Sequence, residues 1–281
     1  LHTRVTKKRD CVKILITGHR GYIGSKLYSK LNNETNIVHG IDLKEGKDLI
    51  HDLPSDTYDC VFHLAAFPSV QRSIEQPSNT FRNNAYATSV LLQWALEKKV
   101  KRLIFSSSAA AKDVSSPYGL QKLISEKECS LYSKLYGLET VSLRYFNVYS
   151  EDQKYSGAYS TVISAWMEML RKGDKLTIDG DGEQVRDFIH VDNIVAANIF
   201  CMNYDESFSG AVFDIGSGKA FSINFIKNLI DNGDIEWAYA PPRTGDIKIS
   251  KANISNILKL GWSPTVSFEE GIKRCFNRES I

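Results

Sequence analysis

Short, almost wholly apolar runs alternate with helical patterns along the first half of the chain. The apolar runs lie at Val12–Thr17, 37–41, 60–64, 103–106 and 140–144. Helical patterns separate them at Tyr22–Leu31, about 80–98 and about 117–135. Continuous apolar strands joined by helices are typical of a parallel sheet that is buried on both faces. The pattern therefore predicts a Rossmann-like, doubly wound α/β domain.

The alternation of strands and helices becomes less regular after about residue 149. We predict helices at 160–171, 223–231, 253–260 and 268–276, a strand at Ala211–Ile215, and turns over 173–182. Residues 11–149 and about 184–216 are expected to form the sheet domain. The segments of about 150–183 and 217–277 are expected to form a smaller α/β substrate domain.

Composition and charge narrow the classes of function. Apolar residues make up 42% of the chain and charged residues 24%, as in ordinary globular proteins. The formal charge is +2, but residues 1–10 alone carry +3 and the rest of the chain −1; we expect residues 1–10 to be a basic tail or a leftover of cloning. The nearly neutral remainder argues against nucleic acid as a partner. No apolar run is long enough for a transmembrane helix, so no membrane partner is expected.

Cysteine and histidine spacing gives no sign of a disulfide framework or a metal site. The five cysteines are far apart, and none forms a CxxC pair. They are expected to be free thiols, which predicts a reducing, cytoplasmic location. The histidines do not occur at ligand spacing, so we expect no metal.

A glycine-rich turn follows the first strand. Gly18, Gly21 and Gly24 form a GxxGxxG motif at the start of the first helix. Such glycines let the pyrophosphate of a dinucleotide approach backbone N–H groups at the positive end of the helix. Asp42 ends the second strand, where a carboxylate binds the adenosine ribose and repels a 2′-phosphate. The arrangement predicts an NAD site and favours NAD over NADP.

A tyrosine and a lysine lie one helical turn apart, after a run of serines. Tyr118 and Lys122 share a face of the predicted helix, and 106–108 are all serine. A phenol has a pKa of about 10 in water. A nearby ammonium and the positive nicotinamide ring would lower it, making Tyr118 a base for an alcohol. The alternative is an ordinary amphipathic helix, and the neighbouring dinucleotide turn makes that interpretation the weaker one.

Ten motifs in order cover nearly the whole chain. They are TGHRGYIGS (17–25), HDL (51–53), HLAA (63–66), SVQRS (69–73), NAYAT (84–88), FSSSAA (105–110), SPYGLQK (116–122), RYFNVY (144–149), GDGEQVRDFIHVDN (180–193) and RTGDIKISKANI (243–254). In these motifs the chain resembles the extended short-chain dehydrogenase/reductase family, and within it the NAD-dependent nucleotide-sugar 4-epimerases.

The resemblance implies a set of site residues. The cofactor set comprises Gly18, Arg20, Gly21, Tyr22, Ile23 and Gly24 around the pyrophosphate, Asp42 on the ribose, Asp52 and Leu53 on the adenine, and Leu64, Ala65, Ala66 and Asn84 beside them. The catalytic set comprises Ser108, Tyr118 and Lys122, of which Tyr118 and Lys122 also contact the cofactor. The substrate set comprises Ser108, Asn147, Arg186, Arg243, Asp246 and Ser250.

The residues after Ser108 narrow the implied chemistry. Dehydratases of the family carry Asp-Glu there and uronic-acid decarboxylases keep a glutamate, whereas this chain has Ala109 and Ala110. A 4-epimerase needs neither acid. Ser250 occupies a position where a small residue accompanies tolerance of N-acetylated sugars, so UDP-GlcNAc/UDP-GalNAc is expected, with UDP-Glc/UDP-Gal as the other option. The loop between Ser108 and Tyr118 is shorter than usual, which affects the sugar site more than the cofactor site.

Two other functions stay open on the sequence alone. One is an NAD(P)-dependent oxidoreductase acting on a nucleotide sugar, and the other is an NAD-binding sensor or scaffold without turnover. The resemblance also implies a homodimer, in which helices of about 80–98 and 117–135 pair across the interface.

Overall fold

The computed structural model describes residues 11–155, 161–242 and 248–277. Its strands are β1 (Val12–Thr17), β2 (Asn36–Ile41), β3 (Cys60–His63), β4 (Arg102–Ser108), β5 (Thr140–Tyr145), β6 (Asn147–Tyr149), β7 (Leu176–Asp179), β8 (Val185–Arg186), β9 (Phe188–His190), β10 (Ala211–Ile215), β11 (Phe221–Ser222), β12 (Trp237–Ala240) and β13 (Ile249–Ser250). Its helices are α1 (Tyr22–Leu31), α2 (Val70–Glu75), α3 (Pro77–Phe81), α4 (Ala87–Glu97), α5 (Pro117–Tyr136), α6 (Val162–Lys172), α7 (Val191–Asn203), α8 (Ile223–Ile230), α9 (Ser255–Lys259) and α10 (Phe268–Cys275).

Six strands form one parallel sheet in the order β10-β5-β4-β3-β1-β2. The chain runs outward from β1 to β2, then crosses to β3 on the other side of β1. The carboxyl ends of β1 and β3 therefore border the crevice where doubly wound sheets bind ligands. The predicted fold class is confirmed.

Apolar side chains cover both faces of this sheet. Ile14 and Ile16 of β1 pack in one buried cluster, and Leu15 between them packs in the cluster on the opposite face. The alternation explains why the strand has no polar position in its centre. No helix in the described part of the chain could cross a bilayer.

Residues of the second half of the chain form a third buried cluster. Trp166 of α6, Phe188 of β9 and Phe268 of α10 are among its members. The small sheets β6-β9, β7-β12 and β11-β8-β13 surround it. The division of the chain into two domains stays a prediction.

Two predicted segments have a different structure. The helical region begins earlier than about residue 80, at α2, and it is broken at Gln76–Pro77 because proline cannot continue the hydrogen-bond ladder of the preceding helix. Its next five residues, 82–86, form a π-helical turn before α4. The segment 173–182, predicted as turns, contains β7, whose apolar Leu176 and Ile178 are buried.

Candidate active site

The glycine turn joins β1, β3 and α1 by direct backbone contact. Gly18 has φ +75°, and a Cβ there would lie 2.7 Å from the Ala65 nitrogen. A Cβ on Gly24 would lie 2.1 Å from the Gly18 carbonyl oxygen. Only glycine fits at either position, so α1 packs directly on the turn that precedes it.

The N-terminus of α1 is left open for an anion. Gly21 is the residue before the helix and supplies no side-chain cap, and the first turn of α1 contains no acidic residue. Its backbone N–H groups therefore favour a negatively charged ligand. Tyr22 binds the Ser150 hydroxyl at 2.6 Å, and Ile23 packs into the core, so the first turn is fixed on both sides.

Asp42 lies at the end of β2 with its carboxylate held by two backbone donors. Arg20 N donates to it at 2.8 Å and Lys44 N at 2.9 Å. The carboxylate lines a small cavity together with Ala65 and Ala66 from the end of β3. Leu64 N donates to Thr17 O at 3.1 Å, which extends the pairing of β3 with β1 as far as this cavity.

Asp48 and Leu49, rather than Asp52 and Leu53, line the cavity beside Asp42. The Asp52 carboxylate accepts a hydrogen bond from Asp48 N at 2.7 Å, and Leu53 packs against the apolar cluster. The assignment of Asp52 and Leu53 to the adenine stays a prediction. Both dipeptides are Asp-Leu, and the sequence alone does not distinguish them.

A larger cleft of about 720 Å³ opens over the first turn of α1. Its lining includes Arg20, Gly21 and Tyr22 at the start of α1, and Phe67, Pro68, Ser69 and Arg72 from the segment after β3. The Arg72 guanidinium stacks on the Phe67 ring at 3.9 Å. Phe67 also lines the cavity beside Asp42, so the two spaces adjoin.

Buried hydrogen bonds fix the backbone around this cleft. His63 binds the Thr17 hydroxyl at 2.8 Å and the Thr88 hydroxyl at 2.9 Å. Burial lowers the pKa of His63 to about 3, so it is neutral. Asn84, in the π-helical turn, accepts from Phe67 N at 2.7 Å and donates to Gln121 Oε1 at 2.8 Å. Asn84 thereby connects the loop after β3 to α5.

Tyr118 and Lys122 lie on the buried face of α5, opposite the end of β4. The helix begins with Ser116, whose hydroxyl accepts from Gly119 N at 3.2 Å, and Pro117 follows as its first residue. Tyr118 N donates to the Ser73 hydroxyl of α2 at 3.0 Å. The Lys122 ammonium donates to Ser106 O at 2.7 Å. The structure thus brings the predicted catalytic residues together.

Burial controls the acidity of these two side chains in the chain by itself. It raises the pKa of Tyr118 to about 12, and a hydrogen bond with Ser108 opposes this increase. It lowers the pKa of Lys122 to about 8. The expected lowering of the Tyr118 pKa by Lys122 together with the positive nicotinamide ring stays a prediction, because it concerns the chain with NAD bound.

The residues after Ser108 form a short turn against the sheet. The Ser108 hydroxyl accepts from Ala110 N at 3.2 Å and begins the 3₁₀ turn Ala109–Ala111. Lys112 then pairs with Asp214 of β10 at 3.1 Å. No carboxylate occupies the two positions that follow Ser108.

Three of the expected substrate residues lie near one another in the second half of the chain. Asn147 and Arg186 line a cavity of about 300 Å³, and Asn147 Nδ2 donates to Asp187 O at 2.7 Å. Ser250 pairs with Arg186 in the parallel register of β13 and β8. Arg243 and Asp246 lie outside the described residues, as do residues 1–10.

Comparison with known proteins agrees with this site. The model of the NAD dependent epimerase/dehydratase family matches residues 14–216. The chain belongs to that family. The match runs from β1 through β10 and includes the glycine turn, Asp42, Ser108, Tyr118 and Lys122.

Two solved structures resemble this member of the family over nearly their whole length. UDP-N-acetylglucosamine 4-epimerase from Methanobrevibacter ruminantium M1, in complex with UDP-N-acetylmuramic acid, has a TM-score of 0.85 and 31% identity, over 95% of this chain and 97% of that one. UDP-glucose 4-epimerase from Thermotoga maritima, with UDP-glucose, has a TM-score of 0.83 and 31% identity, over 94% and 97%.

A curated relative of the same family has a different activity in its name. UDP-N-acetyl-alpha-D-glucosaminuronate decarboxylase from Bacillus cytotoxicus is 29% identical, over 95% of this chain and 96% of that protein. Overall sequence similarity therefore does not distinguish epimerisation from decarboxylation. The residues of the site are needed to distinguish the two reactions.

The described residues fit the family's cofactor, NAD. The open N-terminus of α1 and the glycine cradle suit a pyrophosphate, and the cleft over them adjoins the cavity that holds Asp42. Asp42 presents a carboxylate where the ribose of a dinucleotide binds. Bound NAD also adds a positive nicotinamide ring, and such a charge favours the phenolate of a nearby tyrosine.

Several residues that hold this site could not be identified from the sequence. Ser73, Gln121 and Glu126 are polar and buried, and each bonds to a catalytic element. A buried polar residue on a helix face resembles an exposed one in sequence. The one signal in the sequence for Glu126 is the regular four-residue spacing of Tyr118, Lys122 and Glu126, which places all three on one face of the helix.

Proposed function

We propose that the protein is a nucleotide-sugar 4-epimerase, with a UDP-sugar as substrate. One observation supports this most directly: Ser108, Tyr118 and Lys122 are assembled beside an NAD site, and Ala109 and Ala110 follow Ser108. This set can take a proton from a sugar hydroxyl and return it. It has no carboxylate after Ser108 to support elimination or decarboxylation.

The chain's own groups would act on the 4-hydroxyl of the sugar. Tyr118 takes its proton, and the Ser108 hydroxyl, which already bonds to Tyr118, holds the same oxygen. Lys122 is fixed by Ser106 O, from where its ammonium stabilises the phenolate. Bound NAD supplies reversible hydride acceptance at C4, so the reaction has no net redox change.

Arg186 and Asn147 are proposed to hold the nucleotide diphosphate while the 4-keto sugar rotates in the site. An arginine suits this role because its planar fork can bind two phosphate oxygens. Arg243 and Asp246 are proposed as further contacts, on the resemblance alone. With NAD bound, rotation of the 4-keto sugar before hydride returned to C4 would invert that carbon.

N-acetylated UDP-sugars are the proposed substrates. Ser250 of β13 is the register partner of Arg186 in β8. Its small side chain leaves room for an acetamido group. The test is incubation with UDP-GlcNAc, UDP-glucose and UDP-glucuronic acid, followed by NMR of the anomeric protons. Formation of the galacto isomer from UDP-GlcNAc supports the proposal. Turnover of UDP-glucuronic acid alone would contradict the sugar assignment, and no 4-inverted product from any UDP-sugar would contradict the function.

A homodimer is proposed through the outer faces of α4 and α5. Leu120, Leu131 and Leu135 of α5 are 48%, 50% and 61% exposed, and they follow one stripe of the helix with the half-buried Ile124. Tyr86, immediately before α4, is 50% exposed. A second copy of the same pair of helices would bury these side chains.

Light scattering after gel filtration tests the dimer. Replacement of Leu131 by Glu should convert the dimer to a monomer, because a charge would be buried at its centre. Leu258 of α9 is similarly exposed, and Leu258→Glu is the matched control that should leave the dimer intact. A wild-type monomer, or equal behaviour of both variants, would contradict the proposal.

The free thiols favour a cytoplasmic location, which cell fractionation tests.

A further inference from the structure

The buried face of α5 presents a third ionisable residue after Tyr118 and Lys122. Glu126 follows Lys122 by four residues, so the three side chains lie on one stripe of the helix. Glu126 is only 2% exposed, and the reaction described above gives it no role. A carboxylate is rarely buried to this extent unless it is paired.

The Glu126 carboxylate is fully engaged by two neighbouring strands. The Ser107 hydroxyl of β4 donates to Oε1 at 2.5 Å. Arg144 of β5 donates through Nε to Oε1 at 2.8 Å and through Nη2 to Oε2 at 2.7 Å. Ser107 and Arg144 are themselves partners in the register of the two strands. Glu126 thus fastens α5 to both strands at one point.

This point is immediately beside the catalytic serine. Lys122 bonds to the carbonyl of Ser106, Glu126 bonds to the side chain of Ser107, and Ser108 is the next residue. Two adjacent residues of β4 are therefore held by two adjacent turns of α5. The position of Ser108 relative to Tyr118, which lies on the same helix, depends on both anchors.

Glu126 also supplies the negative charge nearest in sequence to the Lys122 ammonium. The titratable groups around Lys122 are Tyr118, Glu126 and Cys129 on α5 and His63 on β3, with Arg144 of β5 bound to Glu126. His63 is neutral, and burial raises the pKa of the Cys129 thiol, so neither carries a charge near neutrality. The Phe105 ring carries no charge and contacts the Lys122 ammonium through its face, with the ring centroid 4.7 Å from Nζ.

We propose that Glu126 is a positioning residue for catalysis, which holds the Ser106–Ser108 end of β4 against α5 and places a carboxylate one helical turn from Lys122. The inference rests on the proposed epimerase function. It assigns no contact between Glu126 and the substrate or NAD.

Glu126→Gln tests the role of the charge, because glutamine keeps the shape and one hydrogen-bond acceptor. Burial lowers the pKa of Lys122 and the Glu126 carboxylate opposes that decrease, so removal of the carboxylate should let Lys122 lose its proton at lower pH. The basic limb of the kcat–pH profile is expected to move down by on the order of one pH unit. We expect kcat to fall about tenfold or more at neutral pH, with KM for the UDP-sugar within about threefold.

Glu270→Gln is the matched control. Glu270 also pairs with an arginine, Arg274, but on the exposed face of α10. This variant should leave the pH profile unchanged. A purely structural role for Glu126 would lower the melting temperature without moving the basic limb. An unshifted limb in folded Glu126→Gln would therefore overturn the part of the proposal that concerns charge.

Ser107→Ala tests the anchor separately, and it covers the case in which Glu126→Gln does not fold. The substitution removes one hydrogen bond and leaves the Glu126–Arg144 pair. Hydrogen exchange of peptides that cover 105–111 should become faster in Ser107→Ala and not in Glu270→Gln. This readout needs no turnover, so it decides on the anchor even if the wild-type protein inverts no sugar. Unchanged exchange in Ser107→Ala would overturn the anchoring role.

Discussion

The close contact at Gly18 can be separated from the cost of its backbone conformation. Gly18 and Gly173 have nearly the same φ, +75° and +71°. A Cβ on Gly18 would meet backbone atoms of Leu64 and Ala65 at 2.7–2.9 Å, whereas a Cβ on Gly173 would meet nothing within 4 Å. Gly18→Ala and Gly173→Ala therefore form a matched pair that differs in the space available.

The expected magnitudes follow from these two terms. Left-handed backbone costs an alanine about 1–2 kcal/mol, and both variants incur that cost. Overpacking against backbone atoms adds about 1–3 kcal/mol, and only Gly18→Ala incurs it. Gly18→Ala should thus lower the free energy of unfolding by about 2–5 kcal/mol and Gly173→Ala by about 1–2 kcal/mol.

Urea unfolding and calorimetric titration with NAD measure the two consequences. Because the clash separates the glycine turn from the end of β3, Gly18→Ala should also weaken NAD binding by about tenfold or more. Gly173→Ala should bind NAD as the wild type does. Equal loss of stability in both variants, with equal NAD affinity, would refute the argument from close contact.

Three further predictions concern the site. Tyr118→Phe should lower kcat by about 10²–10⁴-fold and leave NAD affinity unchanged, and full activity in this variant would contradict a role as base. Asp42→Ser should narrow the preference for NAD over NADP in titrations of both, since the carboxylate that repels a 2′-phosphate is gone; an unchanged ratio would contradict its placement. Burial depresses the pKa of His63 to about 3 in the folded protein. Between about pH 6.5 and pH 3 the unfolded state therefore binds more protons than the folded state, and the free energy of unfolding decreases as the pH is lowered. The wild type should lose about 2 kcal/mol more than His63→Asn between pH 7 and pH 5 in urea unfolding, and equal slopes would contradict burial of a neutral imidazole.

The parallel sheet and the cofactor turn could be predicted from local sequence because each depends on neighbouring residues. The apolar run 12–17 has no polar interruption, and the glycine spacing follows directly from the contacts of Gly18 and Gly24. The catalytic pair could be predicted for the same reason, since Tyr118 and Lys122 are one turn apart on one helix.

What could not be predicted depends on contacts between distant parts of the chain. Asp48 and Asp52 are equivalent in sequence, and only the path of the chain after β2 brings Asp48 to the cavity. The pKa of Tyr118 depends on how completely the helix is buried. The partner of Glu126, on helix α5, is Arg144, 18 residues further along the chain on strand β5, and no local pattern identifies such a pair.

The most direct test of the account follows a deuterium label at C4 of the sugar. The protein is incubated, without added nucleotide cofactor, with the UDP-sugar that it turns over, deuterated at C4. The account predicts a 4-inverted product that keeps the deuterium at C4, with no net change in nicotinamide absorbance. Loss of the label to solvent, or steady accumulation of reduced nicotinamide, would contradict hydride transfer to and from a single bound NAD.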